Sequence, residues 1–229
     1  MLNQSLAAHV SRPQWGPWLP TGSAGPDFLA AHPSIVPTDF SYGRNETIYG
    51  EDEPAEYVYQ VVRGAVRSYK LLSDGRRQIG AFHLPGDVFG MESGSNHRLT
   101  AEAIIDSAVR MVKRSALAAA AKSDVNIAYA LWMMTSGDLR HAEDHMLLLG
   151  RKTAAQRVAT FLLEMDRRLS IAGMFALPMG RGDIADYLGL TLETVSRTLS
   201  QLHGEGVLGF SGARQITLRN RGRLAVMDA

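Results

Sequence analysis

The sequence predicts an α+β protein: an N-terminal antiparallel β-roll, a long helix, and a C-terminal helical domain closed by a β-hairpin. Three observations carry this. Short runs of aromatic and β-branched residues, cut by Gly and Asp, fill residues 39–112. Apolar residues then recur at helical steps as far as Leu149. Beyond them, two short amphipathic segments flank Gly189 and precede a last pair of apolar runs. The divisions fall at 1–37 for an irregular arm, 38–120 for the roll, 121–151 for the long helix and 152–229 for the C-terminal domain.

The arm holds six of the nine prolines: Pro13, Pro17, Pro20, Pro26, Pro33 and Pro37. Proline fixes φ and removes a donor, so no long helix or central strand crosses this stretch. One short helix fits near residues 28–31. In the roll, strands are expected at 47–49, 57–62, 65–72, 78–84, 100–105 and 108–112. Tyr57, Tyr59 and Val61 alternate, as a strand with one buried face requires. Ser73-Asp74-Gly75 supplies hairpin chemistry, and Gly64 and Leu84-Pro85-Gly86-Asp87 mark further tight turns. Strands this short and closely spaced suit a small antiparallel roll or jelly roll.

Composition narrows the function classes. Apolar residues make up 45% and charged residues 21%, enough to bury a core. The sequence has no Cys, which excludes disulfides, thiolate zinc sites, cysteine-ligated iron–sulfur clusters and cysteine nucleophiles. No apolar run approaches the ~18 residues of a membrane span. No basic segment leads an apolar one at the N-terminus, so no signal peptide is expected. A soluble, cytoplasmic protein is the expectation. Residues 151–229 hold 11 Lys and Arg against 7 Asp and Glu, net +4. Residues 1–150 hold 13 against 16, net −3. The basic excess in the C-terminal third is compatible with nucleic-acid binding there.

Trp132, Thr135, Leu139, Ala142, Met146 and Leu149 follow one another at steps of three and four, a heptad seam. A second stripe, Ile127, Leu131 and Met134, faces the roll. A helix over 126–150 is ~38 Å long. Apolar on two sides, it needs two partners: its own roll, and the same helix of a second subunit. Gly137 and the polar stretch from Asp138 to His141 weaken the seam locally.

The C-terminal domain begins with a strong helix former at 154–163, and Leu177-Pro178 breaks the chain after it. The most specific local pattern is RGDIADYLGLTLETVSRTLSQL, Arg181 to Leu202. Ile184, Ala185 and Leu188 form one apolar face, and small Ala185 permits a close helix crossing. Gly189 ends the first helix where φ turns positive, and the Thr191 hydroxyl caps the second. Val195, Leu199 and Leu202 form the buried stripe of that second helix. This is a helix-turn-helix, and hairpin runs at 207–210 and 215–218 make it a winged one. Glu193, Ser196, Arg197 and Ser200 point away from the buried stripe. Arg can donate a bidentate pair to guanine, Glu can accept from cytosine N4, and the helix N-terminus is the part that reaches base edges. Glu193, Ser196 and Arg197 are therefore the expected base readers on double-stranded DNA. Arg181, Arg214 and Lys152 are expected backbone contacts, with Thr191, Thr194 and Ser200 as caps or backbone contacts. The alternative is a solvated face with an i,i+4 Glu193–Arg197 ion pair.

At this point the chain resembles the Crp/Fnr superfamily of transcription regulators. The resemblance covers nearly everything after residue 38. It runs through YVYQVVRGAVRSYKLLSDGRRQIGAFHLPGDVFG, LLLGRKTAAQRVATFLL and DIADYLGLTLETVSRTLSQL. Glu193-Thr194-Val195-Ser196-Arg197 matches the E-x-x-S-R pattern of the family's Fnr-type branch, whose members read TTGAT-like half-sites in inverted repeat. Leu192 and Ser196 stand where the Crp branch carries Arg and Gly. The GRKTAAQRVA segment and the lack of cysteine look most like the FixK group. The resemblance implies a cyclic-nucleotide-binding-like roll and a homodimer on TTGAT-N4-ATCAA. It also implies an activator role in low-oxygen or respiratory gene control, and contact with RNA polymerase.

The family's nucleotide pocket uses a Gly-Glu pair after the Gly-Asp turn, then Arg directly before Ser/Thr-Ala. Here Met91 follows Gly90, with Glu92 one place on, and Leu99 directly precedes Thr100-Ala101, with Arg98 one place early. A one-residue shift on a strand turns a side chain to the other face, so Arg98 is expected to point away. No cofactor is expected. His141-Ala142-Glu143-Asp144-His145 sets two His at i,i+4, but without the His-Glu-x-x-His order of a zinc protease, and no metal site is expected. An enzyme is not expected either. Two alternatives stand: an effector-gated regulator with an unknown ligand in the roll, and a cupin-type enzyme, for which the roll offers only His83 and His97.

Overall fold

The computed structural model describes Leu29 and residues 35–171, 173–212 and 214–228. The expected arm and its helix near 28–31 otherwise lie outside the described residues. Leu29 and Ile35 are buried against the body, in a cluster with Val58, Val88 and Val112.

The roll has eight strands: β1 (Thr38–Tyr42), β2 (Thr47–Tyr49), β3 (Tyr57–Arg63), β4 (Val66–Leu71), β5 (Arg77–His83), β6 (Val88–Phe89), β7 (Thr100–Ala103) and β8 (Ser107–Lys113). They form two four-stranded antiparallel sheets, ordered β1-β8-β3-β6 and β2-β7-β4-β5. Tyr49, Tyr59, Val61, Val66, Phe89 and Val109 fill one core cluster. Six strands match the sequence pattern. β1 is a mostly exposed edge strand and β6 is two residues long, so neither shows an apolar rhythm. The β4–β5 hairpin turns at Gly75, where φ is +83° and the Gly75 amide donates to Leu72 O at 2.9 Å.

One expectation needs correction. The alternation at Tyr57, Tyr59 and Val61 predicts one buried face, yet Val58, Tyr59, Gln60 and Val61 are all buried. The reason is that two helices cover the second face. These are α1 (Arg114–Ser123) and α2 (Val125–Arg151), whose Leu117, Ala120, Ile127 and Met134 pack with Val58 and Val112. Asp124 separates the helices, and its carboxylate accepts from the Asn126 amide at 2.8 Å to cap α2. α2 has 27 residues, ~40 Å at the usual rise. Its Ile127, Leu131 and Met134 face the roll's helix-packed side as the pattern predicts.

The C-terminal part contains α3 (Ala154–Leu169), β9 (Met174–Ala176), α4 (Arg181–Leu188), α5 (Leu192–Gly204), β10 (Leu208–Phe210), β11 (Gln215–Leu218) and α6 (Arg221–Asp228). α3 runs six residues past its expected end at Leu163. A third strand, β9, joins the expected hairpin in the order β10-β11-β9. The largest cluster joins roll residues Ile79, Phe82 and Leu84 to Phe161, Leu162, Tyr187, Leu188, Val195 and Leu199. Phe82 and Tyr187 lie 5.0 Å apart between ring centroids, and Phe161 and Tyr187 lie 6.0 Å apart. The helix-turn-helix therefore rests on its own roll through a shared core. No helix among the described residues is long and apolar enough to cross a membrane.

Candidate nucleic-acid interface

α4 and α5 meet at Gly189, which adopts φ +60° in the left-handed region. The positive φ favours glycine there. A Cβ would be conformationally strained and would stand 3.3 Å from Leu149 Cδ2 and 3.4 Å from Arg157 Nη1. Thr191 caps α5, its hydroxyl accepting from the Thr194 amide at 3.2 Å. The Thr191 and Thr194 hydroxyl oxygens lie 3.1 Å apart, so Thr194 serves the cap. Val195, Leu199 and Leu202 are buried, joined by Thr198.

The opposite face is open. Glu193, Arg197 and Ser200 are exposed and Ser196 is half-buried. The Glu193 carboxyl is held below the usual carboxylate range by its own backbone amide and by the Thr191 hydroxyl, so it is an ionised acceptor at the helix start. Among the described residues no carboxylate pairs with Arg197. The expected alternative of a Glu193–Arg197 ion pair is not formed, and the guanidinium is free to meet a partner.

Arg181 and Arg214 flank a cleft of about 270 Å³ between the start of α4 and the wing. The Arg181 guanidinium stands 5.7 Å over the Phe210 ring, and Arg214 Nη1 donates to Pro178 O at 3.2 Å. Lys152 differs from expectation. Its Nζ donates to Asp228 Oδ1 at 2.6 Å, Asp228 O at 2.8 Å and Thr160 Oγ1 at 3.1 Å. All three donors are taken by its own chain, so Lys152 is tied to α3 and α6 rather than presented as a backbone contact.

Arg157, missed in the sequence reading, ties the reading head to the long helix. It donates to Leu149 O and Leu188 O at 2.8 Å and to Lys152 O at 2.9 Å. These are carbonyls at the ends of α2 and α4, which lack helical partners of their own. Its signal lay in the GRKTAAQRVA segment, but periodicity assigns a polar residue no partner.

On α2 the seam residues Trp132, Leu139 and Met146 are 63%, 61% and 66% exposed, and Thr135 and Ala142 are exposed with them. Val125, seven residues before Trp132, and Tyr129 extend this apolar face and are exposed too. Leu149 departs from the seam and packs partly into the large core of its own chain.

Beside α2 lies a cavity of about 730 Å³, lined by Ser68, His83, Met91, Glu92, Leu99 and residues of α2 from Asp138 to Gly150. Leu99 lines it, whereas Arg98 does not and is exposed. Arg98 thus points away from the cavity, as its one-residue shift predicts. His141 and His145 are 6.2 Å apart between ring centroids, and His145 stacks on Tyr187 at 4.3 Å. Among the described residues no group of three or more metal-ligating side chains occurs.

A roll, a long helix with an open apolar face and a winged helix-turn-helix with an unpaired reading face define a DNA-binding regulator. Comparison with known proteins agrees. Residues 156–227 match the Crp-like helix-turn-helix domain, and residues 39–124 match the cyclic nucleotide-binding domain. The nitrogen fixation regulation protein FixK of Azorhizobium caulinodans is 48% identical over 193 residues, covering 82% of this chain and 78% of that protein. The transcriptional activatory protein AadR of Rhodopseudomonas palustris is 41% identical over 171 residues, covering 73% and 72%. The structure of FixK2 from Bradyrhizobium japonicum superposes with a TM-score of 0.83 at 78% identity, covering 85% of this chain and 98% of that one. The chain belongs to the Crp/Fnr superfamily, in its FixK/Fnr branch of sequence-specific DNA-binding transcription regulators. It is not an enzyme, and with no cysteine in its sequence it holds no cysteine-ligated iron–sulfur cluster.

Proposed function

We propose that the protein is a homodimeric transcription activator that reads an inverted repeat resembling TTGAT-N4-ATCAA. In this reading it serves low-oxygen or respiratory gene control, contacts RNA polymerase and works without a cyclic nucleotide. The observation that carries the reading is the open Glu193, Ser196 and Arg197 face on a helix whose other side is fully buried. Arg181 and Arg214 flank the cleft between the start of α4 and the wing and serve in this reading as phosphate contacts. Dimerisation is supported by the exposed Val125, Trp132, Leu139 and Met146, four apolar residues at seven-residue steps. The name of the AadR relative supports activation. Occupancy of the cytoplasm follows from the same reading, since the operator is there.

The test is a gel shift on the TTGAT inverted repeat and on a scrambled duplex of equal length, with and without added cyclic nucleotide. Ligand-independent retardation of the repeat alone is expected. Equal retardation of both duplexes would reject sequence-specific reading. The cavity beside α2 favours a second reading, an effector-gated regulator of the same fold. Retardation only with ligand would establish it.

A further inference from the structure

The join between the roll and the reading head is ionic as well as apolar. Arg67 on β4 donates from Nη1 to Asp183 Oδ1 at 2.9 Å, and its Nη2 pairs with Glu102 on β7. Arg77 on β5 donates from Nη2 to the same Asp183 oxygen at 2.6 Å and from Nε to Asp186 Oδ2 at 2.9 Å. Asp183 and Asp186 are three residues apart, on the face of α4 that meets β5. Gln78 adds a bond from Nε2 to Tyr187 O at 3.3 Å. The Arg67, Glu102 and Asp183 side chains are about nine-tenths buried. Asp183 has a second duty, since its Oδ2 accepts from the Gly180 amide at 3.2 Å and starts α4.

We propose that Arg67, Arg77, Asp183 and Asp186 are positioning residues. They fix α4, and with it the reading helix α5, to the chain's own roll. They thereby set the angle and separation at which the two reading helices of a dimer meet DNA. The proposal rests on the dimeric DNA-reading function argued above. Apolar contact is non-directional and tolerates sliding. A buried ion pair does not, because displacement leaves an uncompensated charge. The shared core around Phe82 and Tyr187 supplies adhesion, and the four charges supply one orientation. Through α2, which packs on the same roll, that orientation is referred to the second subunit.

Two measurements test this. The chain has no cysteine, so Ser93→Cys and Gln201→Cys can carry spin labels in the roll and on α5. Labelled chains are mixed into excess unlabelled chain so that distances within one chain are read. A narrow distribution is expected for the otherwise native chain. Arg77→Glu, which repels Asp183 and Asp186, should broaden it, and Arg77→Glu with Asp186→Arg should narrow it again. Arg77→Gln serves if Arg77→Glu does not fold. The second measurement compares affinity for half-sites separated by spacers one base pair shorter, equal and one longer than the preferred one. One base pair turns a half-site by ~34° and moves it by ~3.4 Å. The native dimer should discriminate among spacers by ~10-fold or more, the single variant should flatten this to within ~3-fold, and the charge swap should restore it. Merely lowered stability would weaken all spacers alike. An unchanged distance distribution, or a preserved spacer preference in the variant, would overturn the proposal. If the native protein bound no inverted repeat, the DNA-reading function would fall, and the distance measurement would still decide the positioning.

Discussion

Arg168, in the last turn of α3, forms a buried ion pair with Asp87, in the turn that follows β5. Both side chains are 5% exposed, and the Asp87 carboxylate also accepts from the Leu84 amide at 2.8 Å. Breaking such a pair from one side typically costs ~3–5 kcal/mol. Arg168→Met should therefore destabilise by that order in denaturant unfolding at neutral pH. Removing both charges, with Asp87→Asn added, should recover part of the loss. The pH dependence has a definite sign. Burial pushes the Asp87 carboxyl up to about 6, and the Arg168 charge opposes that rise. A carboxyl raised in the folded state contributes stability at acid pH that is lost as pH climbs through the folded value. Without Arg168 the rise is larger, so the deficit of the variant should shrink as pH falls toward about 6 and level off below it, where Asp87 is protonated in both folded chains. A deficit that grows on acidification would show that Asp87 is not the group left unpaired.

This ion pair and the Arg67–Asp183 contact also mark where the sequence was silent. The helix-turn-helix was legible because its determinants are local: Gly189 at the turn, Thr191 at the cap, and the Val195, Leu199 and Leu202 stripe within one helix. The roll-to-head join was not, because Arg67 and Asp183 are 116 residues apart and polar pairing has no period. The burial of β3 on both faces was hidden for a related reason. The helices that cover Val58 come from another part of the chain. β9 has three residues and pairs with β11 across the reading head, too short a run for alternation to show. Lys152 looked like a surface cation until α6, a helix without a strong apolar pattern, brought Asp228 to it.

Self-association should depend on Leu139. It sits at the centre of the exposed face of α2, 61% exposed in the single chain, so its replacement should leave the chain folded. Burying a Leu against a partner helix and then truncating it costs ~2–5 kcal/mol, and a symmetric dimer loses two copies. Leu139→Asp adds the desolvation of a charge. Sedimentation velocity should show monomers with native circular dichroism. An intact dimer would remove the α2 seam as the interface.

The roll should ignore cyclic nucleotides. Leu99 lines the cavity where a phosphate-clamping Arg would be needed, and Arg98 faces solvent. A bidentate, charge-assisted phosphate contact is hard to replace by other means. Titration calorimetry with cyclic AMP or cyclic GMP at millimolar concentration should give no saturable heat. Saturable heat accompanied by tighter operator binding would instead promote the effector-gated regulator.

Arg197 should set the preference at the guanine of each half-site. It is exposed, unpaired among the described residues, and lies within the first two turns of α5, the part of a reading helix that approaches base edges. Its fork matches guanine O6 and N7. Glu193, one turn earlier and ionised, is placed to accept from a cytosine N4. Ser196, half-buried, has room for a smaller contact, such as one to a neighbouring thymine. Losing one bidentate base contact costs ~1–3 kcal/mol, so a symmetric dimer loses ~2–6 kcal/mol where the halves add. Arg197→Ala should weaken specific binding by that amount and flatten the preference at the guanine. Arg181→Ala and Arg214→Ala should behave differently, weakening all sequences alike and lowering the salt slope by about one phosphate per half-site. The measurement is a set of dissociation constants over all four bases at the guanine position, at fixed salt, for the native chain and each variant. If Arg197→Ala lost affinity uniformly and kept its guanine preference, Arg197 would be a backbone contact. Base reading would then have to come from Glu193 and Ser196.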